Sequence, residues 1–265
     1  MNKLRGAVFG AGNMGRHHVR IMSEHTNIEF VGIVDPDVER AQKIADIYDA
    51  RVFDSIEALP DIDVAIIATP TQYHADIALK LISKGVHLLI EKPLAETPEI
   101  GERISKAAKK ENIKIAVGHV ERFNPAINTL SKIINKPKLI SIERLSPYTP
   151  RIKDSVIYDL TVHDIDLACW LADGNPTEVS ASGISVYSDT IDAASSVIKF
   201  DNGCIATLQT SRITQDKVRK ISITDEDSYI IANTIRQDIE IKRQAEVSFK
   251  TLKGEIAFSQ SSVVE

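Results

Sequence analysis

Short apolar segments alternate with amphipathic segments along the first 118 residues. The apolar segments lie at 4–10, 29–35, 63–68, 86–91 and 114–118, with a shorter one at 51–53, and several are apolar at nearly every position. That pattern is typical of parallel strands buried on both faces. Between them, helical spacing predicts helices near 13–24, 37–47, 72–84 and 97–110. The alternation predicts an α/β fold with a doubly wound parallel sheet.

The pattern changes after Gly118. Helices are predicted near 124–134 and 157–171, around a strand at 138–144, and strands follow at 178–187, 191–200, 203–211, 218–224 and 228–232. No helix separates these later strands, so we expect them to be antiparallel. The sequence therefore predicts two domains, 1–118 and 119–265, the second an α+β domain with an open, mostly antiparallel sheet. No closing element is predicted at 258–265.

Composition narrows the class of protein. The 265 residues are 43% hydrophobic and 26% charged, with a net charge of -5, which is typical of a globular protein and argues against nucleic acid as a partner. No apolar run reaches the roughly 18 residues that cross a bilayer, and the N-terminus lacks a signal-peptide pattern. Cys169 and Cys204 lie in different predicted elements. We therefore expect no membrane partner and a cytoplasmic location.

Residues 10–15 form a G-x-G-x-x-G sequence between the first strand and the first helix. Gly10 permits the tight turn, Gly12 lets a pyrophosphate approach the backbone, and Gly15 lets the helix pack on the strand. The free N–H groups at the start of the helix favour phosphate. The loop residues expected to bind a dinucleotide are Gly10, Gly12, Asn13, Met14 and Gly15.

Asp35 ends the second strand, 20 residues after Gly15. A carboxylate there accepts hydrogen bonds from ribose hydroxyls and repels the extra phosphate of NADP, so the sequence predicts NAD as the cofactor, with NADP less favoured. Arg40 lies nearby and would weaken that preference. The alternative interpretation makes Asp35 a turn or cap residue before Pro36.

Two further strand ends carry candidate residues. Thr69, Pro70 and His74 follow the fourth strand, at the sheet edge where such folds bind ligands. We expect them to contact the cofactor, although His74 could simply begin a helix. Glu91 and Lys92 follow the fifth strand, where charged residues are costly unless they face a cleft. The alternative is a surface ion pair. Pro93 is a candidate for a cis peptide bond.

The predicted helix at 157–171 carries Asp159, His163 and Asp166, which lie roughly on one face. Oxidation of an alcohol by NAD needs a base for the hydroxyl proton, and histidine titrates near neutral pH. The ammonium of Lys92 would stabilise negative charge on the reacting oxygen. The alternative interpretation is an acidic cluster at a helix N-terminus beside a histidine with a structural partner. No metal site is predicted.

With these motifs in this order, most of the chain resembles the glucose–fructose oxidoreductase/inositol dehydrogenase/MocA (Gfo/Idh/MocA) family. The resemblance implies a Rossmann domain that binds NAD(P), then an open-sheet domain for substrate binding and oligomerisation. It also implies oxidation of a secondary alcohol in a sugar, inositol or nucleotide sugar. The segment 118–125 most resembles the branch of UDP-N-acetylglucosamine 3-dehydrogenases, which implies oxidation at C3.

The resemblance also implies roles for individual residues. Lys92 and His163 would be the catalytic pair, and Asp159 would orient the substrate or Lys92. Glu91 would lie near the nicotinamide ribose. Substrate contacts are implied for Lys92, Arg122, Asn124, Asp159 and His163.

The chain departs from the family at two places. Residues 153–155 read Lys-Asp-Ser where many members carry a glycine pair before the Asp-x-x-x-His helix, so we expect a different approach loop. The chain is also shorter than most members, so we expect part of the C-terminal region to be missing. Two other functions stay open: a non-catalytic NAD-sensing regulator and a Rossmann methyltransferase.

The second sheet raises the question of assembly. One face should carry a mixed set of residues: Val197, Ile205, Thr207, Gln209, Ser222 and Thr224. Such a face is apolar enough to predict a homodimer or homotetramer, and the alternative is an ordinary solvated sheet.

Overall fold

The computed structural model describes residues 3–150, 154–250 and 256–264. It divides the chain into two compact units, with the division between His119 and Val120. No helix in the described part of the chain is both long and apolar enough to cross a membrane.

The first unit is a six-stranded parallel sheet with strand order β3-β2-β1-β4-β5-β6. Its strands are β1 (Leu4–Phe9), β2 (Ile28–Val34), β3 (Arg51–Phe53), β4 (Val64–Ile67), β5 (His87–Ile90) and β6 (Ile115–Val117). Its helices are α1 (Asn13–Glu24), α2 (Val38–Tyr48), α3 (His74–Ser83) and α4 (Pro98–Lys110). Every element predicted from the sequence in this unit is present, and the doubly wound parallel sheet is confirmed.

Local sequence signals explain the bounds of these helices. Asp37 caps α2 by accepting a hydrogen bond from the Arg40 amide, and Thr97 caps α4 ahead of Pro98. A 3-10 turn, Thr71–Tyr73, precedes α3, so this helix begins two residues later than predicted. Apolar side chains in the middle of the strands, such as Val8, Ile33 and Ile67, are fully buried, because helices cover the sheet.

The second unit contains an eight-stranded mixed sheet with strand order β14-β13-β12-β11-β7-β10-β9-β8. Its strands are β7 (Leu139–Leu145), β8 (Pro176–Ile184), β9 (Ala193–Phe200), β10 (Ile205–Ser211), β11 (Val218–Thr224), β12 (Ser228–Asn233), β13 (Asp238–Lys250) and β14 (Ile256–Val264). Its α-helices are α5 (Pro125–Ile133) and α6 (Val162–Ala172). The open, mostly antiparallel sheet is confirmed, although β7 and β10 pair in parallel.

The two helices cover one face of this sheet. Ile127 and Leu130 of α5 and Leu167 of α6 are fully buried with Ile140 and Ile142 of β7. Strand residues alternate between this core and the opposite face. The strands β13 and β14, which the sequence did not predict, pair with each other from Lys242 opposite Val264 to Lys250 opposite Ile256.

Candidate active site

The glycine loop has one open position between two crowded ones. Gly10 has φ +100°, and a Cβ there would lie 2.6 Å from the Ala68 carbonyl oxygen. A Cβ at Gly15 would collide with the Gly10 carbonyl. A Cβ at Gly12, the residue before α1, meets nothing within 4 Å among the described residues. Packing therefore requires the outer two glycines, and Gly12 leaves room for a ligand at the helix N-terminus.

Asp35 ties the glycine loop to the end of β2. Its side chain is buried and accepts a hydrogen bond from the Ala11 amide at 2.6 Å. It also accepts from the Asp37 amide at 2.8 Å, so the turn role suggested by the alternative interpretation is present as well. Arg40 donates Nη2 to both carboxylate oxygens, at 2.8 and 3.0 Å, while half of its own side chain is exposed. Two backbone amides fix Asp35, whereas Arg40 reaches it with a half-exposed side chain.

The loop after β4 contains a buried hydroxyl and a buried imidazole. The Oγ1 atom of Thr69 is buried and has no hydrogen-bond partner among the described residues. His74 begins α3, with Nδ1 3.1 Å from the Pro93 carbonyl oxygen and Nε2 2.9 Å from the Thr69 carbonyl oxygen. The imidazole therefore links the loop after β4 to the loop after β5 at the edge of the sheet. The Thr69 hydroxyl fits the role of a donor to a ligand at that edge.

Glu91 is buried, so the alternative of a surface ion pair was wrong for this residue. Its Oε1 lies 2.6 Å from Nε2 of His18 in α1, and its Oε2 accepts from the Lys92 amide at 3.3 Å. Burial alone would raise the pKa of Glu91, but the hydrogen bond and charge of His18, together with the Lys92 amide and charge, outweigh burial and lower it. The Lys92–Pro93 peptide bond is cis.

The predicted helix at 157–171 begins in a different geometry. Ile157–Thr161 forms a π-helical turn, in which the Val162 amide donates to the Ile157 carbonyl five residues earlier, and α6 follows. The Thr161 hydroxyl reinforces this turn by donating to the Val156 carbonyl at 3.3 Å. Asp159 lies in the π turn and His163 in the first turn of α6. π-helical turns are rare, and where they occur next to α-helices they often lie at functional sites.

The two residues predicted to reach substrate from the crossover segment make contacts within the second unit. Arg122 forms a bidentate ion pair with Asp166, at 2.7 and 2.6 Å, and lies over the Trp170 ring. The hydrogen bond to Asp166 raises the pKa of Arg122. Asn124 accepts from the Ala126 amide and donates to the Thr234 carbonyl at 2.9 Å. Its amide therefore joins α5 to the end of β12.

Several polar residues at these sites were not identified from the sequence. His18 shares the buried face of α1 with Gly15, Val19 and Met22. Helical spacing could have revealed it, since positions 15, 18, 19 and 22 follow the i, i+3, i+4, i+7 spacing of one helix face. Arg144 follows Ile140 and Ile142 on the inward face of β7, so strand alternation could have shown that this arginine needs a buried acid.

The approach loop is only partly within the described residues. Lys153 lies outside them, and the Asp154 carbonyl accepts a hydrogen bond from Nη1 of Arg212 at 2.6 Å. Among the described residues, no group of histidine, cysteine, aspartate and glutamate side chains is arranged to hold a metal ion.

Two family models match the chain. The model described as the oxidoreductase family with an NAD-binding Rossmann fold, of the GFO/IDH/MocA group, matches residues 4–119. The model of the GFO/IDH/MocA C-terminal domain matches residues 142–231. Together they span most of both units.

Known proteins match over similar lengths. The UDP-N-acetylglucosamine 3-dehydrogenase of Acidithiobacillus ferrooxidans is 32% identical, over 91% of this chain and 77% of its own. A solved structure of that enzyme superposes with a TM-score of 0.87 at 30% identity, covering 99% of this chain and 83% of its own. The NAD(+)-dependent scyllo-inositol 2-dehydrogenase of Bacillus subtilis is 29% identical, over 91% of this chain and 77% of its own.

Proposed function

The chain belongs to the Gfo/Idh/MocA family of NAD-binding oxidoreductases, and from that membership we propose that it oxidises a nucleotide sugar, with UDP-N-acetylglucosamine oxidised at C3 as the favoured reaction. Family membership makes it a dehydrogenase acting on CH–OH groups. The observation that carries the choice of substrate is the similarity to the UDP-N-acetylglucosamine 3-dehydrogenase over nearly the whole chain. The family match excludes the methyltransferase alternative.

In the proposed reaction, the chain's own residues handle the proton and the substrate oxygen. NAD, held at residues 10–15 and Asp35, supplies the hydride acceptor when bound. The imidazole of His163 accepts the hydroxyl proton while the ammonium of Lys92 donates a hydrogen bond to the oxygen that becomes the carbonyl. Asp159 orients the substrate hydroxyl. The substrate carbon loses a hydride to NAD and its oxygen loses a proton to His163, so a secondary alcohol becomes a ketone.

Other contacts belong to the same proposal. Glu91 would contact the nicotinamide ribose, and the Thr69 hydroxyl would donate to the coenzyme at the neighbouring strand end. Arg122 contacts the nucleotide-sugar substrate from the crossover segment, where its pair with Asp166 fixes the guanidinium. Asn124 caps α5 through the Ala126 amide, and this cap maintains the loop from which the substrate is contacted.

NAD is the proposed coenzyme in preference to NADP. The buried carboxylate of Asp35 supports this choice because it disfavours a second phosphate at the ribose. Arg40 would have to leave Asp35 for the ribose hydroxyls to bind the carboxylate, and half of its side chain is exposed.

Replacement of the catalytic pair tests the function. Lys92→Met and His163→Ala should each lower kcat/KM with UDP-N-acetylglucosamine by about 10² to 10⁴. The dissociation constant of NAD should stay within about threefold, since neither side chain lies in the glycine loop. Asp76→Asn in α3 is the control and should turn over normally. Tight NAD binding by a wild-type protein that oxidises no sugar or nucleotide sugar would instead favour the NAD-sensing regulator.

Assembly through the second sheet is a further part of the proposal. Val197 of β9 and Thr207 of β10 face each other on the uncovered face and are exposed, and β8 is exposed along its whole length. This face also carries the ion pairs Lys199–Glu178 and Lys220–Glu143, and its uncharged centre favours pairing with a second copy into a homodimer or homotetramer. Val197→Lys should convert the oligomer to monomer in light scattering. Ile47→Lys, at an exposed position of α2, should not.

A cytoplasmic location is proposed from the cysteines. Cys169 and Cys204 are free thiols. Burial raises the pKa of both, so both remain in the unreactive thiol form at neutral pH. Thiol titration should therefore find the same number of free cysteines in protein from a reducing extract and in protein exposed to a mild oxidant.

A further inference from the structure

A buried histidine contacts the residue that precedes Lys92, and the reaction described above assigns it no role. His18 lies in α1, three residues after Gly15, and is 8% exposed. Its Nε2 atom is 2.6 Å from Oε1 of Glu91. A buried polar ring needs such a hydrogen-bond partner. Because an aliphatic residue could fill the same volume, packing alone does not account for a histidine at this position.

We propose that His18 is a positioning residue that fixes Lys92 through the Glu91 carboxylate. The inference rests on the proposed function, since that function makes Lys92 a catalytic residue. It adds a connection between the helix of the coenzyme loop and the reacting side chain.

The carboxylate of Glu91 is confined from several directions. His18 contacts one oxygen and the Lys92 amide donates to the other at 3.3 Å. A Cβ at Gly118 would lie 2.9 Å from Oε2, so the glycine leaves only enough room for the carboxylate. The backbone is fixed too, because the Glu91 amide donates to the Ile67 carbonyl at 2.9 Å. Loss of His18 is the change that would release this group.

The pair also sets the charge beside Lys92. Burial would raise the pKa of Glu91, but the hydrogen bond and charge of His18, together with the Lys92 amide and ammonium, hold it below its ordinary value. Without His18 the buried carboxylate would take up a proton more readily or turn away. Lys92 would then lose both a fixed neighbour and a neighbouring negative charge.

The test compares His18→Met, which removes the donor, with His18→Gln, which retains a nitrogen donor near the position of Nε2. The readout is acetylation of Lys92 by acetic anhydride, followed by mass spectrometry, with exposed Lys110 as the internal reference. His18→Met should raise the rate at Lys92 about threefold or more. It should also lower kcat about 10- to 100-fold, with the NAD dissociation constant within about threefold. His18→Gln should restore both values to near wild type.

His17→Met is the matched control, since His17 is the exposed neighbour in the same helix and should change neither readout. If His18→Met does not fold, Gly118→Ala replaces it, because its methyl group displaces the same carboxylate and should alter Lys92 acetylation in the same way. Unchanged acetylation of Lys92 in a folded variant would overturn the proposal. Acetylation needs no substrate, so a wild-type protein without turnover would refute the proposed function and leave this test intact.

Discussion

Nε of Arg144 in β7 lies 2.6 Å from Oδ1 of Asp164 in α6, and both side chains are almost completely buried. Glu121 adds a second carboxylate at 3.2 Å from Nη1, and Thr210 donates to the other oxygen of Asp164. Burial opposes the charge of Arg144, but the two carboxylates outweigh it and raise its pKa. Asp164 directly follows His163, so this ion pair fixes the start of α6 against the sheet.

Arg144→Met should therefore destabilise the protein strongly, because it leaves Asp164 buried without its cation. We expect a loss of about 3–5 kcal/mol in the free energy of unfolding, measured in urea. Arg236→Ala removes an ion pair of the same 2.6 Å length, with Asp238, whose side chains are exposed. That control should leave stability unchanged, since exposed pairs contribute little. Equal effects of the two substitutions would contradict the structural role of the buried pair.

The sequence predicted the first unit well because burial on both faces of a parallel sheet leaves a strong signal. The short strand β3 and the helices α1 and α4 follow the predicted bounds closely. The second unit was harder to predict. β13 and β14 carry mixed polar and apolar residues, and only pairing with each other and with β12 makes them strands. Such non-local pairing has little local signature.

The candidate site likewise contains residues that the sequence could predict and residues that it could not. The glycine loop and Asp35 were predictable because their chemistry follows from spacing along one strand–turn–helix unit. The partners of Glu91 and Asp164 were not, because His18 and Arg144 are 73 and 20 residues away in the chain. The π turn at Ile157–Thr161 also escaped prediction, since its sequence fits an α-helix equally well.

Gly12 and Gly15 should respond differently to the same substitution. Gly12→Ala adds a methyl group where no described atom lies within 4 Å, so folding should be unaffected while the NAD dissociation constant rises about tenfold or more. Gly15→Ala should destabilise the protein, because the methyl group collides with the Gly10 carbonyl. Thermal unfolding and coenzyme titration separate the two effects.

Gly101→Ala in α4 is the control for that comparison. Its new Cβ would meet Leu94 at an ordinary 3.6 Å, so it should bind NAD normally. It should also gain about 0.5–1 kcal/mol of stability from the better helix propensity of alanine. Normal NAD affinity in Gly12→Ala would argue against a pyrophosphate at this loop.

Asp35→Ser should change the preference between coenzymes. The substitution removes the carboxylate that disfavours a ribose phosphate and frees Arg40 to bind one. The NADH dissociation constant should rise about tenfold, while that of NADPH stays constant or falls. Fluorescence titration gives both constants. Asp37→Ala, which removes the α2 cap and an exposed 3.7 Å contact with Arg40, should lower stability by about 1 kcal/mol and leave the ratio unchanged. An unaltered ratio in Asp35→Ser would remove the basis for preferring NAD.

Asp192 should contribute stability that depends on pH. Burial raises its pKa, but hydrogen bonds from the Val186 and Tyr187 amides, the Ser188 side chain and Arg212 outweigh burial and lower the pKa well below 3.8. A carboxylate whose pKa is lowered by folding stabilises the protein above its unfolded pKa and loses that effect as pH falls toward the folded value. Asp192→Asn should therefore cost about 3–5 kcal/mol at pH 7, because Arg212 loses its buried partner.

The difference between wild type and Asp192→Asn should stay constant above about pH 5 and shrink as the pH falls toward about 3. Urea unfolding at several pH values measures it. Asp189→Asn is the control, since that carboxylate is exposed and lies in the same loop between β8 and β9. A difference independent of pH would mean that side-chain shape, rather than charge, holds the loop between β8 and β9. Because Arg212 also holds the Asp154 carbonyl, the charged form of Asp192 should in addition keep the approach to the π turn ordered.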